Sequence, residues 1–304
     1  MRSFEFLDPT ALSKLGNLEL RARTIVEGAL AGLHRSPHHG SSVEFAEHKE
    51  YSPGDEIKFI DWKAYGKFDK YYIKRFEEET ELSAYFLIDS SASMGYAGKA
   101  ASKLDCARTI TAALAYFLLK QQDQVGLVVF DEKLRAYLPP RARGGQLHEL
   151  LRKLETLQAI GRSDLERALT YVSEVAKRRS LIVVLSDLFG SEQADEKEWQ
   201  GLRHLLLSLR AMKHDVAVFQ ILDDDELTLP FSGTSLFEAM EEGSELLVDP
   251  DETRRAYRRE IDRFVASYQQ RFAEGDVEYH LVRSSDSPID VVRDFLSGPL
   301  RRIR

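Results

Sequence analysis

Residues 84–94 read Ala84-Tyr85-Phe86-Leu87-Ile88-Asp89-Ser90-Ser91-Ala92-Ser93-Met94. Five apolar residues in a row show no in-out alternation. The run therefore predicts a strand covered on both faces by helices, as in a parallel sheet. An aspartate and three serines follow at once, which puts polar groups at the carboxyl end of that strand. The pattern recurs twice. Val125 to Phe130 is a second buried strand, and Leu181-Ile182-Val183-Val184-Leu185 is a third that runs directly into Ser186-Asp187-Leu188.

Helical stretches separate these runs. Leu104, Ala107, Ile110, Leu114 and Phe117 form one stripe over 103–120. Further helices are predicted near 145–157, 164–178, 197–211 and 288–297, with strands at 215–222 and 277–282. A long amphipathic helix near 250–274 carries Tyr257, Ile261, Phe264, Tyr268 and Phe272 on one face. Asp131-Glu132 lies between the second strand and Leu134–Leu138, a tight hairpin that adds one antiparallel edge strand. Residues 226–249 read as irregular. Alternation of strand and helix implies an α/β domain over 83–304: a mainly parallel sheet with helices on both faces. Ligands of such sheets bind outside the carboxyl ends of the strands, so chemistry is expected just after residues 88, 160 and 185.

Residues 1–82 read as an appendage. Leu12, Leu15, Ile25, Val26, Ala29 and Leu33 suggest a helix over 9–33, interrupted at Gly16-Asn17. His34 to Ser42 is a polar loop, its histidines lacking the partners and spacing of a zinc site. Residues 43–82 form a small β-rich part with a turn at Ser52-Pro53-Gly54-Asp55 and a strand at Tyr71-Tyr72-Ile73.

With 43% hydrophobic and 30% charged residues, the 304-residue chain fits an ordinary globular protein. A net charge of -8 argues against a protein built mainly to hold nucleic acid; the basic stretches at Lys58–Arg75 and Arg301–Arg304 read as solvated surface. The one cysteine, Cys106, lies in a helical apolar run and reads as a buried thiol in a reducing compartment. No apolar stretch is long enough to span a bilayer and the first residues lack a signal-peptide core, so a cytoplasmic location without membrane insertion is expected.

Three loops at one end of one sheet present the site: Asp89-x-Ser91-x-Ser93, then Gly161-Arg162-Ser163-Asp164-Leu165, then Ser186-Asp187. Carboxylates and hydroxyls are the oxygen ligands that hard divalent cations prefer. Serine ligands are neutral, so an ion held through them keeps net positive charge and can take a carboxylate from a partner. The same residues also suit capping and turn chemistry, with Ser163 placed like an N-cap.

This arrangement resembles the metal-ion-dependent adhesion site of von Willebrand factor A domains, which have a Rossmann-like fold. In those domains Asp-x-Ser-x-Ser, a threonine on a second loop and an aspartate on a third surround one magnesium or manganese ion. The resemblance implies Asp89, Ser91, Ser93 and Asp187 as ligands. Ser163 stands where the threonine would be, keeping the hydroxyl without the methyl that fixes its rotamer, and either Ser163 or Asp164 faces the ion.

Glu50-Tyr51-Ser52-Pro53-Gly54-Asp55 through Ile60-Asp61-Trp62-Lys63 is similar to the signature of domain-of-unknown-function family 58. In that bacterial and archaeal family such a segment precedes a von Willebrand A domain. The resemblance implies a MoxR-type AAA+ ATPase partner and a part in chaperone-like maturation of client proteins. Gly54, Asp55, Asp61 and Trp62 read as a turn, a capped strand and a buried anchor. Expected, then, is a non-enzymatic adaptor that docks an acidic residue of a partner at its ion. The rivals are a metal-assisted hydrolase and a metal-independent scaffold. Against the first, no nucleophile elbow, Walker loop, dinucleotide fingerprint or HExxH helix is present. His148, His204 and His214 read as surface or packing residues.

Overall fold

A computed structural model describes residues 17–33, 48–50, 72–74, 82–176, 179–189, 196–241 and 243–298. The chain divides into two compact units, Ser36–Glu81 and the remainder. In the smaller unit β1 (His48–Glu50) pairs antiparallel with β2 (Tyr72–Lys74), with Lys49 opposite Ile73. The second strand overlaps the strand expected at 71–73. The 34–42 loop, the Ser52–Asp55 turn, Asp61 and Trp62 lie outside the described residues, as do Leu12 and Leu15.

The larger unit contains α1 (Leu18–Leu33), β3 (Ser83–Asp89), α2 (Lys103–Lys120), β4 (Gln124–Phe130) and β5 (Leu134–Arg141). It continues with α3 (Gln146–Glu155), α4 (Leu165–Val175), β6 (Ser180–Ser186), α5 (Glu196–Ala211) and β7 (Asp215–Leu222). After these come α6 (Asp224–Thr228), β8 (Ser235–Glu238), β9 (Glu245–Val248), α7 (Pro250–Glu274), β10 (Glu278–Arg283) and α8 (Pro288–Ser297). Among the described residues six strands form one sheet in the order β10-β7-β6-β3-β4-β5, parallel throughout except for the β4–β5 pair. This is the expected mainly parallel sheet with an antiparallel edge.

Side chains of each central strand alternate between two apolar layers. Ala84, Phe86 and Ile88 face one layer with α1, α2, α3 and α8; Tyr85 and Leu87 face the other with α4, α5 and α7. Helix ends follow their sequence signals. Ser102 Oγ accepts from the Asp105 amide at 3.1 Å to start α2, and Asp249 with Pro250 at the first helical position starts α7.

Two expectations need correction. Helix α1, grouped in sequence with the appendage, packs inside the larger unit: Leu18, Ala22, Ile25, Val26 and Ala29 are buried in the same core as α2 and α8. Its stripe is apolar enough to need a neighbour, but a one-dimensional pattern does not say which. Residues 226–249 are also more regular than expected. The short helix α6 is held by a capping box between Asp223 and Glu226, and β8 pairs with β9, Leu236 opposite Leu247. Leu236, Leu246 and Leu247 are 61%, 64% and 68% exposed, so this hairpin displays apolar residues outward and lacks the in-out contrast that marks a strand in sequence.

Candidate functional site: three loops at the carboxyl end of the sheet

Strand β3 lies between β4 and β6, so the chain leaves it in one direction and returns on the other side. That is the point in the sheet where crossovers diverge and leave a crevice. Asp89 ends β3 at its edge, and its carboxylate is wholly buried. Oδ1 accepts from the Ser91 amide at 2.8 Å. Oδ2 accepts from Ser163 Oγ and from Ser186 Oγ, each at 2.6 Å. One carboxylate thus ties all three loops together. Ser91 Oγ lies 3.1 Å from Ser93 Oγ, within the same loop.

The loops are also joined through their backbones. The Ser90 amide donates to the Phe130 carbonyl at 2.7 Å, the Ile160 amide to the Ser90 carbonyl at 2.7 Å and the Ala92 amide to the Gly161 carbonyl at 2.8 Å. Gly161 takes φ +76°, a left-handed conformation that costs an L side chain free energy. Asp164, not Ser163, caps α4: its carboxylate accepts from the Arg167 amide at 2.9 Å. The sequence reading gave Ser163 the cap and left either residue to face the ion. With Asp164 on the helix, the Ser163 hydroxyl is turned to Asp89.

Asp187 is wholly buried as well, but its hydrogen bonds lead elsewhere. Oδ1 accepts from the Phe189 amide at 3.1 Å, while Oδ2 accepts from Lys103 Nζ at 2.7 Å. Lys103, the first residue of α2, is fully buried; its ammonium also reaches Glu226 Oε1 at 2.5 Å and sits 4.7 Å from the centre of the Phe189 ring. Glu226 Oε2 accepts from the Asp223 amide at 2.7 Å. Leu188, between Asp187 and Phe189, is buried at φ +65°, a strained conformation for a branched side chain.

The electrostatics follow from this packing. Burial, then repulsion from Asp187, pushes the Asp89 carboxyl up to about 6 from its ordinary 3.8, although Ser163, Ser186 and Ser91 each pull it down. Burial works to lower the Lys103 ammonium, yet Asp187 and Glu226 outweigh it and the net shift is upward. Glu226 is raised, chiefly by burial, against the pull of Lys103. Among the described residues no basic side chain pairs with Asp89, the carboxylate at the centre of the three loops.

Of the residues singled out in sequence, Asp89, Ser91, Ser93 and Ser163 come together through direct hydrogen bonds. Asp187 stands close enough to raise Asp89 but is bonded to Lys103 and the Phe189 amide. Sequence reasoning missed Ser186 as a partner of Asp89, although the residue sits in the quoted Ser186-Asp187 pair. It also missed Lys103 and Glu226. A lysine opening an amphipathic helix normally reads as solvated, so nothing in the pattern marks Lys103 as buried.

Among the described residues no three His, Cys, Asp or Glu side chains gather as a metal-binding group. The donor set is instead two buried carboxylates with the hydroxyls of Ser91, Ser93 and Ser163, which suits an oxygen-seeking divalent cation. The raised Asp89 carboxyl marks a place where added positive charge would be stabilising. The residues present therefore fit such an ion. Beside Ser93 a cavity of about 440 Å³ opens, lined among others by Phe189, Phe231, Phe237, Tyr257 and Arg162. Of the histidines considered in sequence, His148 and His204 are exposed on α3 and α5, and His214 is buried just before the amino end of β7. Cys106 is buried and free, its thiol pushed up to about 12 by burial. No described helix is long and apolar enough to cross a membrane.

An uncharacterized protein of Mycobacterium tuberculosis is 26% identical over 249 residues, 80% of this chain and 75% of that protein. Among solved structures, the conserved hypothetical protein BatB from Bacteroides thetaiotaomicron is 18% identical with a TM-score of 0.46, covering 71% of this chain and 97% of that one. A von Willebrand factor type A protein from Catenulispora acidiphila is 15% identical with a TM-score of 0.40, covering 71% of this chain and 42% of that one. Residues 47–270 match the family described as "Protein of unknown function DUF58", and the chain belongs to that family.

Proposed function

We propose that the three loops hold one divalent cation, magnesium or manganese, and that through it the protein binds an acidic side chain of a partner protein. The observation that carries this reading is the buried Asp89 carboxylate, gripped by donors from three loops and lacking a basic partner among the described residues. Asp89, Ser91, Ser93, Ser163 and Asp187 would hold the ion. Bound there, it supplies a positive face on which a carboxylate makes a charge-assisted contact, stronger in a partly dry interface than in water.

The protein's own residues do the rest. Ser163 and Ser186 fix the Asp89 carboxylate in one orientation, so little ordering remains when the site is loaded. Ser91 and Ser93 present neutral oxygens that leave the positive charge undiminished. The cavity beside Ser93 offers space for the chain around the docked acid, and the exposed Leu236, Leu246 and Leu247 of the β8–β9 hairpin offer apolar area at the partner's approach. Membership of the DUF58 family supports a MoxR-type AAA+ ATPase, or a client delivered to it, as the partner. The protein then acts as a cytoplasmic adaptor in protein maturation rather than as an enzyme.

Co-purification of the tagged full chain with its cognate ATPase tests this. Retention in magnesium, loss in EDTA and loss in D89A are expected. Equal retention in all three would favour the metal-independent scaffold.

A further inference from the structure

We propose that Lys103 is a built-in counter-cation that offsets the charge Asp187 brings to a bound divalent ion and thereby sets the site to weak, readily reversible loading. The inference rests on the reading of the three loops as an ion site.

Helix position and burial both oppose an ammonium here. The amino end of a helix carries partial positive charge, and Lys103 is the first residue of α2. Taking an ammonium wholly out of water is costly unless it is paired and hydrogen-bonded. Methionine would fill the same space against Phe189 without either cost. The charge therefore has to be explained by what it does to the groups that clasp it. Those groups are Asp187 at 2.7 Å, from the loop after β6, and Glu226 at 2.5 Å, from α6.

The geometry divides the two carboxylates of the site into different roles. Each oxygen of Asp187 already holds a donor, the Phe189 amide on one and Lys103 on the other. Among the described residues, Asp89 is hydrogen-bonded only by neutral groups, two hydroxyls and an amide. An arriving cation consequently meets one carboxylate whose charge is uncompensated and a second already neutralised, with an ammonium behind it. Both effects weaken ion binding. Both also leave a loaded ion with more of its positive charge directed outward, which is the condition for taking a partner's carboxylate. Glu226 completes the device: its second oxygen is fixed by the Asp223 amide, so Lys103 stays clasped from two sides instead of swinging into the crevice.

Manganese affinity of the metal-stripped full chain, measured by calorimetry and by electron paramagnetic resonance, tests this in the wild type, in K103M and in K103M/E226Q. The double variant removes the buried Glu226 charge that K103M would leave unpaired, and so provides a folded protein should the single one be lost. Removing the ammonium is expected to tighten manganese binding about ten- to a hundredfold, even where thermal stability falls. A merely structural lysine predicts the opposite sign, with stability and affinity falling together. Unchanged or weaker binding in folded variants of a wild type that does bind overturns the Lys103 inference and leaves the docking reading standing. Binding by the variants with none by the wild type at millimolar manganese supports the Lys103 inference and overturns the docking reading. Binding by none of the three overturns both.

Discussion

Ser163 Oγ donates to Asp89 Oδ2 at 2.6 Å, joining residues 74 positions apart in the chain. The bond forms because Asp164 takes over the helix cap and frees the serine to turn inward. Replacing Ser163 with alanine removes one of three hydrogen bonds to a buried carboxylate. Chemical denaturation should register a loss of about 1–3 kcal/mol for S163A, and manganese affinity should fall with it. Threonine keeps the hydroxyl, so S163T should retain both. An S163A protein as stable and as avid for manganese as the wild type would remove Ser163 from the site.

The raised Asp89 carboxyl ties stability to pH. In the ion-free protein its folded pKa of about 6 lies above the ordinary 3.8, so between about pH 4 and pH 6 the native state holds a proton that the unfolded chain has given up. This contribution is fully present below pH 4 and is lost as pH rises through 6, amounting at its limit to on the order of 3 kcal/mol. Comparing D89N with the wild type across this window isolates it: the difference in stability should shift in favour of the asparagine protein as pH rises. A difference flat with pH would mean that Asp89 stays ionised without help. A bound cation should abolish the dependence, since it stabilises the charged form.

Gly161 is held at φ +76° with its carbonyl on the Ala92 amide. An added Cβ would lie 3.5 Å from the nearest Asp131 carboxylate oxygen, an ordinary contact, so the penalty of G161A is conformational. It should cost about 1–2 kcal/mol and loosen the loop that carries Ser163. Amide hydrogen exchange would show this as faster exchange at Ala92. Unchanged stability and unchanged exchange would mean that the loop does not depend on its glycine.

How far the sequence reached depends on the length scale of each interaction. The parallel strands were legible because Ala84–Ile88, Val125–Phe130 and Leu181–Leu185 are apolar without interruption, and burial on two faces leaves no other pattern. Helices α2, α7 and α8 lie where the sequence puts them, near 103–120, 250–274 and 288–297, because an apolar stripe at helical spacing runs through such segments. Burial of α1 against α2 and α8 was not, since its stripe looks the same whichever surface covers it. The β8–β9 hairpin escaped because its leucines face outward on both sides of the pairing. At the site, motif spacing brought out Asp89, Ser91 and Ser93, the end of β6 brought out Asp187, and the start of α4 brought out Ser163. The Lys103–Asp187–Glu226 arrangement stayed hidden because it joins three segments through side chains more than 80 positions apart, and Lys103 and Glu226 taken alone read as surface.

Uptake of a divalent ion by the three loops underlies both the docking role and the part given to Lys103. Titration calorimetry of magnesium and manganese into chelator-stripped full chain measures this directly. Saturable uptake of one ion per chain, absent in D89A, is the predicted result. Failure to detect uptake of either ion by folded wild-type protein, with and without a bound partner, would contradict it.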